Sequence, residues 1–458
     1  MSTTYRTVPE DTDRMPSGVP YIIGNEAAER FSYYGMRSIL VTYMTMYLVD
    51  VHGRPTPMTE DEATAATSFF YSAVYFCPML GALLSDGLLG KYRTIFWVSL
   101  IYCLGHLVLS IGGTQIGNAM GLAPLAALQL GLALIAFGSG GIKPCVSANV
   151  GDQFGERNRH LLERVYSWFY FSINFGSSFS TILIPWLLHD ERFGPHVAFG
   201  VPGILMGVAT LIFWLGRKRF VHAPPGGLNF VREVFTADGL RALRTPIVVT
   251  LFVAIFWSLY DQSSTKWILQ ARNMDRHAFG IEWHPEQIHT LNPILILIFI
   301  PIFSYAIYPA VNRVYRLTPV RKIAIGLFLT ALAFVVSGWI QVMIDREQTP
   351  TIYWQGLAYV VLTAAEVMVS ITGLEFSYSV APKSMKSVVM AIWLLSNSLG
   401  NAVTALVNTL IQSEEGPSRL SGASYYWFFT GLMLVAAVGF ALASLTFPKT
   451  EAAETAAA

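Results

Sequence analysis

Glu26, Glu29, Arg30, Tyr33 and Arg37 follow one another at steps of three, one, three and four residues inside an otherwise apolar run, Tyr21 to about Leu48. At about 100° per residue they fall within about one third of a helix circumference. Two acids, two bases and a phenol thus stack on one stripe. Carboxylates beside a guanidinium in an apolar setting suit reversible protonation. Desolvation favours the neutral acid, a neighbouring cation favours the carboxylate, and a small rearrangement trades one for the other.

Further ionisable and amide groups interrupt other apolar runs. The acids are Asp261, Glu366 and Glu375; the bases are Lys143 and, nearer a run's end, Lys266; the amides are Asn174 and Asn292. A charge at bilayer depth costs several kcal/mol, so such groups normally pair, or face a bundle interior or a wet cavity. Arg30 and Lys143 in one half of the chain suit a carboxylate, and Glu375 in the other half suits an ammonium. Together they fit a zwitterion, the form of a peptide or amino acid. Tyr33, Tyr34, Tyr75, Trp257 and Trp393 are candidate walls for an apolar cavity with a few polar anchors, although each aromatic taken singly reads first as packing. Charged groups from both halves, among them Arg37, Lys143, Asp261 and Glu375, are candidate gates that pair and part as the halves move. The competing reading is a structural ion-pair network. It weighs most on Glu366, which lies nine residues, or about 180° of helix, from Glu375.

The elements that carry these residues are membrane helices. The chain is 53% hydrophobic and 13% charged, with mean hydropathy +0.48, against about 25% charged in soluble domains. Apolar runs of about 20 residues, the length that crosses a bilayer, recur throughout. They are too long and continuous for barrel strands, so the fold class is an all-α membrane protein. Twelve spans are predicted, near 20–50, 62–89, 92–113, 122–148, 162–189, 196–216, 246–270, 288–312, 320–344, 351–381, 386–412 and 422–447. The longest break, 217–245, contains Pro224-Pro225-Gly226-Gly227 and separates six spans from six. The organisation read from this is an N-terminal segment 1–19, a six-helix bundle 20–216, a linker 217–245, a second bundle 246–447 and a tail 448–458. With the N-terminus inside, 20 of the 30 lysines and arginines lie on the cytoplasmic face, 6 on the other face and four within spans. That bias places both termini in the cytoplasm. A net charge of +1 implies no nucleic-acid partner. Cys77, Cys103 and Cys145 sit in apolar runs and read as small core residues. No cleavable signal peptide is expected, since Met1 to Pro20 is polar.

Several segments together resemble the proton-dependent oligopeptide transporter (POT) family of the major facilitator superfamily. Glu26-Ala-Ala-Glu29-Arg30-Phe31-Ser-Tyr33-Tyr34-Gly35 resembles its ExxERFxYYG signature. Gly81 to Asp86, continuing through Gly90-Lys91-Tyr-Arg93, resembles its loop between helices 2 and 3. Gly138-Ser-Gly140-Gly141-Ile-Lys143-Pro144, through Gly151-Asp152-Gln153-Phe154, is similar to its helix 4 segment, and Phe169 to Ser177, with Asn174 and Gly176, to its helix 5 signature. Phe256-Trp257 through Asp261-Gln262 and Gly373-Leu-Glu375-Phe376-Ser377-Tyr378 resemble its helix 7 and helix 10 segments. The glycine-rich piece lacks the pattern GxxxxGK[ST], which argues against nucleotide-driven transport.

The resemblance implies a bacterial member with the major facilitator fold, two six-helix bundles around a central cavity. It implies proton coupling by Glu26, Glu29 and Arg30, with Asp261 and Glu375. Arg30, Lys143 and Tyr34 would hold a peptide carboxylate, and Glu375, Asn174 and Asn292 a peptide amine. Arg37 would pair with Asp261 as an outer gate, while Tyr33, Tyr75, Trp257 and Trp393 would line side-chain pockets. Two departures stand out. Ser68 occupies the position of a histidine found in animal members, so carboxylates must carry the proton. The 217–245 linker is also too short for the two extra helices of many bacterial members.

The expectation is a monomeric proton symporter for di- and tripeptides in the plasma membrane, the inner membrane in a Gram-negative cell. Protons serve as coupling ion, with no cofactor, metal or enzymatic step. Rival readings are a carrier of nitrate, amino acids or drugs on the same fold, and a nutrient receptor that signals without transport.

Overall fold

Helices account for nearly all regular structure. The computed structural model describes residues 5–225, 227, 236–373, 376, 386–412 and 418–447. In the first part of the chain run α1 (Val19–Thr42), α2 (Glu60–Ala82), α3 (Lys91–Ile111), the short α4 (Gln115–Ala119), α5 (Pro124–Gly151), α6 (Leu162–His189) and α7 (Gly194–Gly216). Then follow α8 (Ala237–Tyr260), α9 (Lys266–Ala271), α10 (Leu291–Ile302), α11 (Tyr308–Asn312), α12 (Pro319–Asp345), α13 (Tyr353–Glu366), α14 (Lys386–Leu410) and α15 (Ala423–Ser444). A two-residue hairpin, β1 (His277–Ala278) and β2 (Ile281–Glu282), is antiparallel with His277 opposite Glu282.

Local chemistry explains the helix starts. Proline stands in the first turn of α1, α5, α7 and α12, where its missing N–H costs no helical bond. At the head of α2 a capping box closes. The Thr59 amide donates to Glu62 at 2.7 Å, and the Glu62 amide donates to Thr59 Oγ1 at 3.3 Å. The segment Leu83–Leu89 widens into a π-helical turn and ends at Gly90, whose φ of +79° favours glycine. This is where the sequence carries its loop motif.

Among the described residues, eleven helical segments are long and apolar enough to cross a membrane. The first helix, α1, is equally long at 24 residues, about 36 Å, but carries Glu26, Glu29, Arg30 and Arg37. The predicted spans are found to within a few residues, with two qualifications. The seventh breaks into the 3₁₀ turn Asp261–Ser264 after α8. The end of the tenth lies outside the described residues.

Contacts divide the chain into two units, Met1–Met58 with Ala73–Asn229, and Thr59–Ser72 with Phe230–Ala458. In the first, α1 packs on α6 and α7, and α3 lies against α5 and α7. In the second, α12 packs on α13 and α15, and α8 on α14 and α15. Trp267, Phe334, Tyr359 and Phe429 lie at the centre of the second unit's core. The first half of α2 belongs to that second unit. Asp61 Oδ1 is 2.5 Å from Lys266 Nζ, Tyr71 Oη is 3.1 Å from Ser264 Oγ, and Ser398 Oγ donates to the Ser72 carbonyl at 2.8 Å.

Candidate functional site in the membrane helices

The α1 stripe is buried along its length. Glu26, Glu29, Arg30, Tyr33 and Arg37 are each at most 8% exposed, so the charged face looks into the protein and not into solvent. Arg30 Nε donates to Glu26 Oε1 at 2.6 Å and stands 3.0 Å from Glu29 Oε2. One guanidinium edge therefore serves two carboxylates. Ser139, on α5, donates from Oγ to the other oxygen of Glu29 at 3.1 Å.

Lys143 follows Ser139 by one turn of α5. Its Nζ lies 4.3 Å from the ring centroid of Tyr33 and 4.3 Å from that of Tyr75, within cation–π range of both. Tyr34 meets Tyr33 edge to face at 5.4 Å. No carboxylate pairs with Lys143 among the described residues. Its cation faces two aromatic walls, a setting that leaves charge to offer an anionic group.

Two glycines of the sequence motifs make this geometry possible. A Cβ on Gly176 of α6 would fall 2.6 Å from the Ala27 carbonyl of α1, and one on Gly140 would fall 2.7 Å from the Val74 carbonyl of α2. Only glycine lets these backbones approach, and small residues serve this purpose at membrane helix crossings. The glycines of the helix 4 and helix 5 motifs thus act by close packing, Gly140 of α5 against the helix that carries Tyr75 and Gly176 of α6 against the helix that carries Glu29.

In the second unit, Asp261 opens the 3₁₀ turn after α8. Asn401 of α14 donates to Asp261 Oδ2 at 2.6 Å and to Asn397 Oδ1 at 2.8 Å. Asn292, in the first turn of α10, accepts from Tyr260 Oη at 3.1 Å. It donates to Glu366 Oε2 at 2.7 Å and to Thr363 Oγ1 at 3.1 Å. Trp257 lies edge to face with Tyr260 at 5.3 Å. Trp393 is buried, its ring filling the space where a Cβ of Gly373 would stand.

Of the residues singled out in the sequence, the structure gathers Glu26, Glu29, Arg30, Tyr33, Tyr34, Tyr75 and Lys143 into one cluster. Arg37 is buried one turn beyond Tyr33 on the same helix. Asn174 spends its amide on its own helix, donating to the Tyr170 carbonyl at 2.9 Å. Glu375 lies outside the described residues. Ser68 is buried in α2.

Three residues that the sequence reading did not single out, Ser139 in the first unit and Asn401 and Asp61 in the second, bond to ones that it did. Ser139 lies within a glycine-rich run that carries no charge signal. Asn401 was legible, since Asn397 and Asn401 form an i, i+4 amide pair in an apolar helix. Glu366 reads from sequence as the most structural of the acids, yet it is bonded to Asn292, a candidate ligand. Asp61 sits in an acidic first turn that looks like an ordinary helix start, and it pairs with Lys266.

Residues 92–237 and 236–428 match the POT family. The chain is 35% identical to the POT family transporter PepTSo, whose crystal structure superposes with a TM-score of 0.85 over 94% of this chain and 98% of that one. An auto-inhibited POT family peptide transporter gives 34% identity and a TM-score of 0.85, covering 95% of this chain and 98% of that one. Solute carrier family 15 member 2 from Homo sapiens is 36% identical over 414 residues, 81% of this chain and 55% of that protein. Peptide transporter family 1 from Drosophila melanogaster is 37% identical over 369 residues, 72% of this chain and 48% of that protein. The chain spans about half the length of the curated relatives it matches. With its multiple spans, its buried acid–arginine stripe and these matches along most of its length, the chain belongs to the POT family.

Proposed function

We propose that the protein is a proton-coupled symporter that imports di- and tripeptides by alternating access of two helical bundles. One observation carries the reading: Arg30 is held between Glu26 and Glu29 inside a membrane helix, beside a Lys143 that faces two aromatic rings. With both acids ionised, one guanidinium balances two carboxylates. A proton on either acid removes half of that demand and frees Arg30 donors for an incoming carboxylate. Proton and substrate then bind as a coupled set, in which no single acid owns the proton. Lys143, between Tyr33 and Tyr75, supplies the second cation for the peptide C-terminus.

The second unit supplies the partner chemistry. Asp261, Asn292, Glu366 and Glu375 offer carbonyl and carboxylate oxygens to a peptide ammonium, and Arg37 with Asp261 forms a gate. Asn174 of the first unit adds its amide oxygen for the peptide amine, and Trp257 and Trp393 shape side-chain pockets. The names of similar proteins, peptide transporters from Drosophila melanogaster and Caenorhabditis elegans among them, support a peptide substrate. The proton serves as coupling ion and no cofactor is required. The protein works as a monomer in the plasma membrane with both termini in the cytoplasm, in keeping with the lysine and arginine bias.

The test is uptake of labelled di-alanine into proteoliposomes under an inward proton gradient. The reading predicts gradient-driven accumulation by wild type. Glu29→Gln should lose accumulation while keeping peptide counterflow. Absence of dipeptide uptake under any gradient, with nitrate or a single amino acid carried instead, would overturn it.

A further inference from the structure

At the end of the first unit where α3 begins and α7 finishes, a pocket of about 550 Å³ opens between Tyr5, the Leu88–Arg93 segment, Trp97, Trp214, Arg217 and the His222–Pro225 segment. The candidate spans begin at Lys91 and end at Gly216, so the pocket sits at the membrane boundary. Three cations look into it. Lys91 is paired with Asp152 at 2.7 Å. Arg93 and Arg217 have no carboxylate partner among the described residues. The Arg217 guanidinium instead stacks on Trp214, 3.6 Å from its ring centroid, and donates to the Trp214 carbonyl at 3.0 Å.

The walls are packed rings. His222 stacks on Tyr5 at 4.2 Å and packs against Tyr92 at 4.6 Å, while its Nε2 is bonded to the Arg217 carbonyl at 2.7 Å. Burial lowers its pKa below 6.5, so it serves as wall and not as a fourth cation. Pro224 and Pro225 close the far side. The rim toward lipid is apolar and open: Leu88 is 62% and Trp97 58% exposed. Tryptophan at a span's end is the usual anchor of the headgroup layer.

We propose that this pocket binds the phosphate of an anionic phospholipid, with Arg93 and Arg217 on the phosphate and the acyl chains leaving over Leu88 and Trp97. Two guanidiniums without a carboxylate partner among the described residues offer an anion charge-assisted hydrogen bonds from one pocket. The exposed apolar rim gives a free phosphate nothing to cover it, whereas a lipid covers it with its chains. Basic pockets at helix ends recognise anionic headgroups in this way.

Native mass spectrometry of the full chain in detergent, titrated with palmitoyl-oleoyl phosphatidylglycerol or the matching phosphatidylcholine, tests the assignment. The expected result is at least tenfold greater retention of the phosphatidylglycerol. That preference should fall to the phosphatidylcholine level in the Arg93→Ala, Arg217→Ala double variant. Equal retention of both lipids by wild type, or full preference in a folded double variant, overturns the proposal. Saturable binding of glycerol 1-phosphate that the double variant abolishes also overturns it, in favour of a soluble-anion site. Should the double variant fail to fold, wild type alone decides: the preference must collapse in high salt, and a salt-independent preference overturns the proposal.

Discussion

Ser139 of α5 donates a hydrogen bond of 3.1 Å to Oε1 of Glu29 on α1, while the other carboxylate oxygen of Glu29 lies 3.0 Å from Arg30. The bond ties the acid–arginine stripe of α1 to the helix that presents Lys143, one turn away. A hydrogen bond to a charged acceptor contributes about 1.5–3 kcal/mol, so its loss would loosen the hold of α5 on the Glu29 carboxylate. Ser139→Ala should therefore cut gradient-driven dipeptide uptake about tenfold and change counterflow far less. Equal losses in both assays would place Ser139 in packing instead.

Lys143 depends on its two rings. Tyr75→Phe keeps the ring over the ammonium and should leave peptide affinity within about twofold of wild type. Tyr75→Ala removes one cation–π contact, worth about 0.5–2 kcal/mol, and should raise the KM for di-alanine by roughly twofold to thirtyfold. Uptake titrations of the two variants check this. Equal effects of Phe and Ala would show that the hydroxyl, and not the ring, matters.

The Asn292–Glu366 bond joins the first turn of α10 to the end of α13. Asn292→Leu would remove the amide that donates to Glu366 Oε2 at 2.7 Å, a lost hydrogen bond worth about 1–3 kcal/mol. A melting temperature lower by several degrees is expected by intrinsic fluorescence. Glu366→Gln keeps an acceptor oxygen for the amide and should melt close to wild type. If Asn292→Leu melts like wild type, the bond carries no stability.

Asp61 and Lys266 form a nearly buried pair at 2.5 Å inside the second unit, with Lys266 Nζ 4.6 Å from the Tyr425 ring centroid. Removing one partner leaves the other desolvated and costs about 3–5 kcal/mol. Asp61→Asn and Lys266→Gln should each destabilise more than the double variant, a non-additivity that thermal unfolding of the cycle reads out. Additive losses would show that the pair makes no net interaction.

The Arg157 guanidinium beside Asp13 holds its carboxyl below 3.8. For an acid with a lowered folded-state pKa, the contribution is complete above the ordinary value and fades as pH falls through the lowered one. Asn158 fastens the same segment, donating to the Arg14 carbonyl at 3.1 Å. Hydrogen exchange of residues 9–15, corrected for intrinsic rates, should stay protected above the ordinary carboxyl range and loosen as the pH falls below it. In Asp13→Asn the looseness should be present at every pH. Protection unchanged across that range would remove Asp13 as the anchor.

Part of this was legible in the residues. The spans were readable because a bilayer sets one length for every crossing and forbids exposed backbone, so length and hydropathy decide them locally. The α1 stripe was equally readable, since a period of 3.6 residues states which side chains share a face, and buried charge must be accommodated wherever that face points. Periodicity does not state which other helix that face meets. Ser139 on Glu29, Tyr75 over Lys143, Asn401 on Asp261 and Asn292 on Glu366 each join helices distant in sequence. Those meetings depend on crossing geometry and on rotation about each helix axis, set by contacts such as Gly176 against Ala27. The same reason separates Thr59–Ser72 from the rest of α2's unit. A continuous helix shows no break in its sequence where its packing partners change, and only the packed structure decides which partners each half keeps.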